Sequence, residues 1–459
     1  MKTRKIEICL MLVALCGAFA GAADIVHSPY AAFVANYNGE TFANGPQVDA
    51  NGGVWSYGYR AAVASTSLNS FSQDKFTRAS SALGGMNKQV DSSFIPYIAI
   101  NPTATDVTDQ GASPFRPVTP GNEFVVQPGN RSAGDANCGL PVIRFAAPRT
   151  GRYSVSAVCE TLANSSEDDG VTSFHLLVNG SVVEERDLAH VSGSGTTYTF
   201  AKSGILLGFG ETIELVVGPG MTALRNAISY SSDSSSVKIE IVEAEAEGLF
   251  SLGDDMAANI LAGNSDNPFL EGRWTAGRYD RDTENPYPQS ITSLLWGFSR
   301  DTYFVGYNED GSTTKNLYCC VNTNDQVRTA LSSQEMDPHE VIIMPSGARN
   351  ADVRFVTPER GMWRITARVR NLQNSTTDDD TCGVRVFLLA EGACLADELL
   401  ATPGTKVSRE IEVVTSRLKS GAVVDLVLDS RGNASNDPVG VKLFVEKVIP
   451  PPGLMLVVR

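Results

Sequence analysis

The sequence predicts an all-β protein built as two tandem antiparallel β-sandwich domains of jelly-roll-like type. Three observations carry this reading: stretches of strict apolar/polar alternation, turn residues at short intervals, and a repeat spanning most of the chain. From Arg144 the chain reads R-F-A-A-P-R-T-G-R-Y-S-V-S-A, and from Arg354, 210 positions on, it reads R-F-V-T-P-E-R-G-M-W-R-I-T-A. Upstream, Val54-Trp55-Ser56-Tyr57-Gly58-Tyr59 answers Arg273-Trp274-Thr275-Ala276-Gly277-Arg278, and downstream Val237-Lys238-Ile239 answers Val441-Lys442-Leu443. The order is collinear, as a duplication requires.

Taken in order, residues 1–23 have a basic start (Lys2, Arg4, Lys5), an apolar run from Ile8 to Ala20 and small residues before position 24. This is the layout of a secretory signal peptide and is too short for a spanning helix. The first module is expected over 24–246 and the second over 247–448, with the boundary near Glu243–Gly248. Helical signal is confined to stretches such as Ala64–Leu83 and Asp254–Leu261. In 152–158, Tyr153, Val155 and Ala157 oppose Arg152, Ser154 and Ser156. In 363–370, Trp363, Ile365, Ala367 and Val369 oppose Arg364, Thr366, Arg368 and Arg370. Each is a strand with one buried and one wet face. Pro148 and Gly151, like Pro358 and Gly361, mark a corner between strands where glycine can take positive φ. Asn179-Gly180 reads as a type I′ hairpin turn, and Glu391-Gly392 holds the matching place. The tail 449–459 is short and Pro-rich. It reads either as a last strand after a proline stop or as a degenerate sorting tail, and its apolar run is too short to cross a bilayer.

Composition bounds the function. Hydrophobic residues at 42% suffice for real cores, which excludes a disordered chain, a collagen or a coiled coil. Asp plus Glu number 52 against 37 Lys plus Arg, so the net charge is −15, and loss of the leader moves it to −17. Such a chain has no electrostatic footprint for nucleic acid or an anionic membrane. Six cysteines follow the leader, an even count that permits disulfides in an exported protein. Cys138 and Cys159, flanking a short strand–turn–strand, are the expected pair, against the alternative that both are small buried hydrophobes. Cys319 and Cys320 are adjacent, so their thiols play different roles. No Cys-x-x-Cys, His-Glu-x-x-His, Gly-x-Ser-x-Gly or phosphate-binding glycine loop occurs, so zinc, triad and nucleotide chemistry have no support. Paired carboxylates for glycoside hydrolysis are available in number, but none stands out as seated in an apolar pocket.

Two features are candidates for binding. Glu167, Asp168 and Asp169 fall at the same place in the repeat as Asp378, Asp379 and Asp380, and clustered carboxylates are the hard-oxygen surroundings of a structural Ca²⁺. Trp55, Tyr57 and Tyr59 alternate on one strand and share a face, on which sugar rings could stack. The match of Trp55 with Trp274 favours a core position for both, while Tyr57 and Tyr59 have no aromatic counterparts in copy two.

The Trp-Ser-Tyr-Gly run at 55–58, the Arg-Phe-x-x-Pro-x-x-Gly-x-aromatic corner and the Asp-Asp-Gly-Val…Asn-Gly run (168–171, 179–180) resemble the β-sandwich, carbohydrate-binding-like modules of secreted planctomycete, verrucomicrobial and lentisphaeral proteins. The tail weakly resembles a truncated Pro-Glu-Pro sorting signal that lacks its glutamate. Copy two departs from the motifs, with Ala276 in place of the tyrosine at 57 and Glu391 in place of the asparagine at 179. The expected function is therefore non-catalytic recognition of a polysaccharide or cell-surface glycan by an exported protein. The alternatives are a purely structural envelope or matrix component and a carbohydrate-active hydrolase.

Overall fold

The computed structural model describes residues 24–449 except 37–45, 72–82, 88–95, 108–116, 130–138, 163–170, 192–193, 221–233, 245–247, 264–272, 281–291, 294, 301–302, 308–317, 331–333, 346–348, 373–382, 401–406 and 430–437. The strands of the first half are β1 (Ile25–His27), β2 (Gln47–Val48), β3 (Val54–Arg60), β4 (Asn69–Ser70), β5 (Gly84–Asn87), β6 (Tyr97–Ile100), β7 (Phe124–Gln127), β8 (Leu140–Ala146), β9 (Gly151–Thr161), β10 (Val171–Val178), β11 (Ser181–Ala189), β12 (Thr197–Leu207), β13 (Thr212–Gly218) and β14 (Ser235–Ala244), with helix α1 (Pro29–Ala35). Those of the second half are β15 (Leu249–Ser251), β16 (Trp274–Asp280), β17 (Thr292–Ser293), β18 (Leu295–Arg300), β19 (Tyr303–Tyr307), β20 (Tyr318–Asn322), β21 (Arg328–Ala330), β22 (Gln334–Met336), β23 (Val341–Met344), β24 (Arg349–Val356), β25 (Met362–Asn371), β26 (Val384–Ala390), β27 (Ala393–Leu400), β28 (Ser408–Val414), β29 (Val423–Asp429) and β30 (Val439–Val448), with helix α2 (Leu252–Leu261).

Among the described residues every pairing is antiparallel and stays within one half. The front sheet of the first module runs β12-β9-β14-β7-β6-β5 with β1 added to β14, and its back sheet runs β11-β10-β13-β8-β3-β2 with β4 added to β3. In the second module the front sheet runs β18-β19-β20-β23-β30-β25-β28 with β15 on β30, and the back sheet runs β17-β16-β24-β29-β26-β27. The strand orders of the two modules correspond, β9 to β25, β14 to β30, β8 to β24 and β13 to β29. A buried asparagine recurs as well: Asn101 Nδ2 donates to the Val118 carbonyl, and Asn322 Nδ2 to that of Met336.

Alternation builds the cores. In β9 the inward residues Tyr153, Val155, Ala157 and Cys159 are buried, as are Trp363, Ile365, Ala367 and Val369 in β25. They meet the opposed sheet across aromatic contacts, Phe145 on Tyr153 at 5.7 Å and Phe355 on Trp363 at 6.0 Å between ring centroids. Asn179 and Gly180 have φ of 49° and 76°, and Glu391 and Gly392 have 49° and 78°, the backbone of a type I′ turn at both expected places.

Three expectations are corrected. Positions 64–71 form no helix but end in strand β4, in a stretch rich in Ser, Thr and Asn that compete with helical bonding. The corner glycines Gly151 and Gly361 do not have positive φ; an added Cβ at either would lie 3.4 Å from the side chain of Glu243 or Lys447. Cys159 is a free thiol buried in the core, so the expected bridge to Cys138, which lies outside the described residues, is not formed. Cys159 packs as a small apolar side chain, and burial pushes its thiol pKa well up. Cys319 and Cys320 are also buried free thiols, and Cys319 belongs to the core of the second module.

Candidate functional site

The three aromatic residues of β3 do share a face, and it is the inner one. Trp55 is fully buried and its indole N–H donates to Asp49 Oδ2 at 2.9 Å. Tyr57 is buried too, edge-on to Phe33 of α1 at 4.7 Å, while Tyr59 packs half-buried against Phe71 at 5.6 Å. Helix α1 closes this side: the Tyr30 hydroxyl donates to the Val237 carbonyl and accepts the Ile239 N–H, fixing Phe33 over the strand. The expected stacking face of Trp55, Tyr57 and Tyr59 is therefore core, because alternation sets which residues share a face but not which face meets the opposite sheet. Trp274 is buried in the same way and donates to Asp255 at 2.7 Å. The acidic runs Glu167, Asp168, Asp169 and Asp378, Asp379, Asp380 lie outside the described residues.

The structure instead places a polar cleft of about 620 Å³ between the modules. Its floor is the outer face of the second front sheet. Its rows read Glu412–Thr366 and Glu410–Arg368–Lys442, with Ser408 beside Arg370 in the next. These are the outward residues of β25 and their cross-strand neighbours. Its other wall comes from the first module: Asn179 and Ser181 of the hairpin turn, then Lys202, Ser203 and Gly204, where β12 shifts register.

The joint beneath the cleft is ionic. The turn 208–211, with Gly210 at φ +73°, carries Glu211 out of the first module. Its carboxylate accepts the Gly208 N–H at 2.8 Å, lies 3.4 Å from Lys442 Nζ and pairs with Arg368 Nη1. Burial would raise the Glu211 carboxyl, but Lys442 and Arg368 outweigh it and hold its pKa at about 2. Arg368 Nη2 also donates to the Leu206 carbonyl at 2.9 Å. A second pair crosses the boundary from Arg152 to Glu446 at 2.6 Å, and Arg364 reaches the same carboxylate at 3.1 Å. Between these pairs the Phe209 ring stacks on His339 at 4.1 Å and 14°.

His339 is itself pinned. It has φ +51°, its Nδ1 lies 2.7 Å from Asp254 Oδ1, and its carbonyl oxygen would lie 1.8 Å from a Cβ at Gly253. Gly253→Ala is therefore expected to destabilise the second module by about 3 kcal/mol, read as a lower thermal midpoint. An unchanged midpoint would show that α2 slides without cost.

Each acid of the cleft faces a cation: Glu211 as above, Glu340 and, at 3.7 Å, Asp337 with Arg370, Glu410 with Arg368, and Glu412 with Arg364 at 3.5 Å. Lys202 and Arg409 are exposed, and among the described residues neither has a carboxylate partner. The sequence did show the row Arg364, Thr366, Arg368, Arg370 as a wet face. Nothing local signalled that Glu211, 157 residues away from Arg368, would cover it.

No family model matches the chain, and no curated protein matches it. Among solved structures it is similar to the tandem CBM51 modules of the family 98 glycoside hydrolase from Streptococcus pneumoniae (10% identity, 71% of this chain and 84% of that one, TM-score 0.25). It is also similar to the CBM22-1–CBM22-2 tandem domain of Paenibacillus barcinonensis Xyn10C (10% identity, 93% and 100%, TM-score 0.20) and to a family 35 carbohydrate binding module from Clostridium thermocellum (13% identity, 34% and 100%, TM-score 0.16). At these TM-scores no ligand, reaction or partner passes from those proteins to this chain.

Proposed function

We propose that the chain is an exported, non-catalytic recognition protein and that its ligand, a polysaccharide or cell-surface glycan, lies in the cleft between the two sandwiches. The observation that carries this reading is the cleft itself, an open, polar concavity set across a fixed joint. Ser181, Ser203, Thr366 and Ser408 offer hydroxyls, and Lys202 and Arg409 offer positive charge. No aromatic residue is among the described residues lining it, so sugars would be held by hydrogen bonds and charge rather than by stacking. Among the described residues no helix is long and apolar enough to cross a membrane.

A glycan array of the full chain, including uronate-bearing polysaccharides, tests this. Lys202→Ala with Arg409→Ala is expected to weaken binding at least tenfold, while Tyr57→Phe leaves it unchanged. Binding indifferent to the double variant, or none at all, would reject the cleft. A purely structural role is the second reading. It is favoured by the closure of Trp55, Trp274 and Trp363 into the cores, and self-association without glycan binding would support it. For the acidic runs at 167–169 and 378–380, a structural Ca²⁺ is proposed from the chemistry of clustered carboxylates alone.

A further inference from the structure

The back sheets of the two modules bury matched positions with different chemistry on their outer faces. In the first module the row is apolar at Leu140, Val142 and Val216, and a single carboxylate, Glu214, is met by two arginines. Arg144 Nε lies 2.6 Å from it, and the buried Arg60 pairs with its other oxygen. In the second module, by strand register, Asn350 stands at the place of Leu140, Asp352 at that of Val142, Asp425 at that of Glu214 and Tyr279 at that of Arg60. At these four positions one arginine is lost and one acid gained, and further along the same face Asp429 and Arg385 stand where the first module has Gly218 and Ser173. Of the two arginines that meet Glu214, only the counterpart of Arg144 is kept: Arg354, its Nε 2.6 Å and its Nη2 3.1 Å from the two oxygens of Asp425.

Asp352 is 1% exposed, and neither of its carboxylate oxygens has a hydrogen-bond partner. It lies between Gly277 on β16 and Val427 on β29, diagonal to Asp425 on the same face. A buried carboxylate without a partner is costly, because burial strips its hydration and nothing replaces it. Burial, with Asp425 adding to it, pushes the Asp352 carboxyl well up. An unpaired aspartate where the sister module has valine is a cost that a bound cation would remove, and the oxygen donors close by on the same face belong to Asp425, Asp429 and Asn350. Oxygen-only donors with no thiol or imidazole select hard cations of the alkali or alkaline-earth class.

We propose that the outer face of the second back sheet is a buried hard-cation site in which Asp352 and Asp425 are the ligating carboxylates. It uses none of the residues of the acidic runs or of the cleft, and it stands whether or not the chain binds glycan.

The test uses the full chain, stripped with a chelator and melted in a tetramethylammonium buffer at constant ionic strength. CaCl₂, MgCl₂ or KCl is added in turn, each alone. One of these ions is expected to raise the melting temperature by about 5 °C at a hundredfold excess over its dissociation constant. The rise is expected to persist when Asp378, Asp379 and Asp380, or Glu167, Asp168 and Asp169, are changed to their amides, and to vanish in Asp352→Val. In the ion-free buffer Asp352→Val is expected to melt higher than the wild type. Should that variant not fold, Asp352→Asn keeps the volume and is expected to lose the response as well. No response to any ion, or an equal response in the Asp352 variants, would overturn the site and leave Asp352 a neutral buried acid.

Discussion

Glu211→Gln will separate the two modules. The wild-type chain is expected to melt in one transition in which both sandwiches take part, and the variant in two, with a larger radius of gyration in solution scattering. The cause is the partly desolvated pairing of Glu211 with Arg368 and Lys442. Removing the carboxylate leaves two cations facing each other in a low-dielectric joint, at a cost of about 3–5 kcal/mol. The same joint has a pH signature. The folded carboxyl sits at about 2, below its unfolded value, so it contributes stability that is full above the ordinary carboxylate range and is lost as pH falls toward 2. Modules that stay together in the variant, or in the wild type at pH 2, would show that the Phe209–His339 stack and the Arg152–Glu446 pair suffice without it.

A second large effect is expected at His27. This fully buried ring has Nδ1 3.2 Å from Asp49 Oδ2 and Nε2 3.3 Å from Glu243 Oε2, so both nitrogens face carboxylates. Arg149 pairs with the other oxygen of Glu243, and Trp55 holds Asp49. By register His27 stands where the second module has Phe250; each packs on the matched aromatic pair, Phe145 and Tyr153 or Phe355 and Trp363. Burial works against the charge, but Asp49 and Glu243 outweigh it and raise the imidazole pKa. The cluster therefore contributes stability that is complete below the ordinary histidine range and is lost as pH rises through the raised value. His27→Ala should cost about 3 kcal/mol at pH 6, by leaving two buried carboxylates short of their partner. It should also abolish the decline in stability between pH 6 and 9. An unchanged slope would place the titrating group elsewhere.

The fold class was legible because alternation and turn chemistry are local. Tyr153-x-Val155-x-Ala157 can only be a half-buried strand, and Asn179-Gly180 can only turn tightly. Helix α2 was legible from its own residues. What failed depended on what lies opposite. Trp55, Tyr57 and Tyr59 share a face whether it is open or closed, and the helix carrying Phe33 that closes it sits two dozen residues upstream. Cys159 and Cys138 suggested a bridge by proximity in sequence, whereas Cys159 is taken up by the core. The cleft required knowing that a turn of the first module lands on the arginine row of the second, a contact that no periodicity encodes.

That landing has a direction. By register Arg368 corresponds to Val158 and Glu211 to Ala422, so the first module has no arginine to receive a turn and the second has no acid to offer one. A head-to-tail contact of this kind would, if both modules kept both halves of it, propagate from molecule to molecule into a fibre. Here the plug is found on one copy and the socket on the other. The duplication counts to two and stops, so any assembly of this chain into a larger array must use another surface.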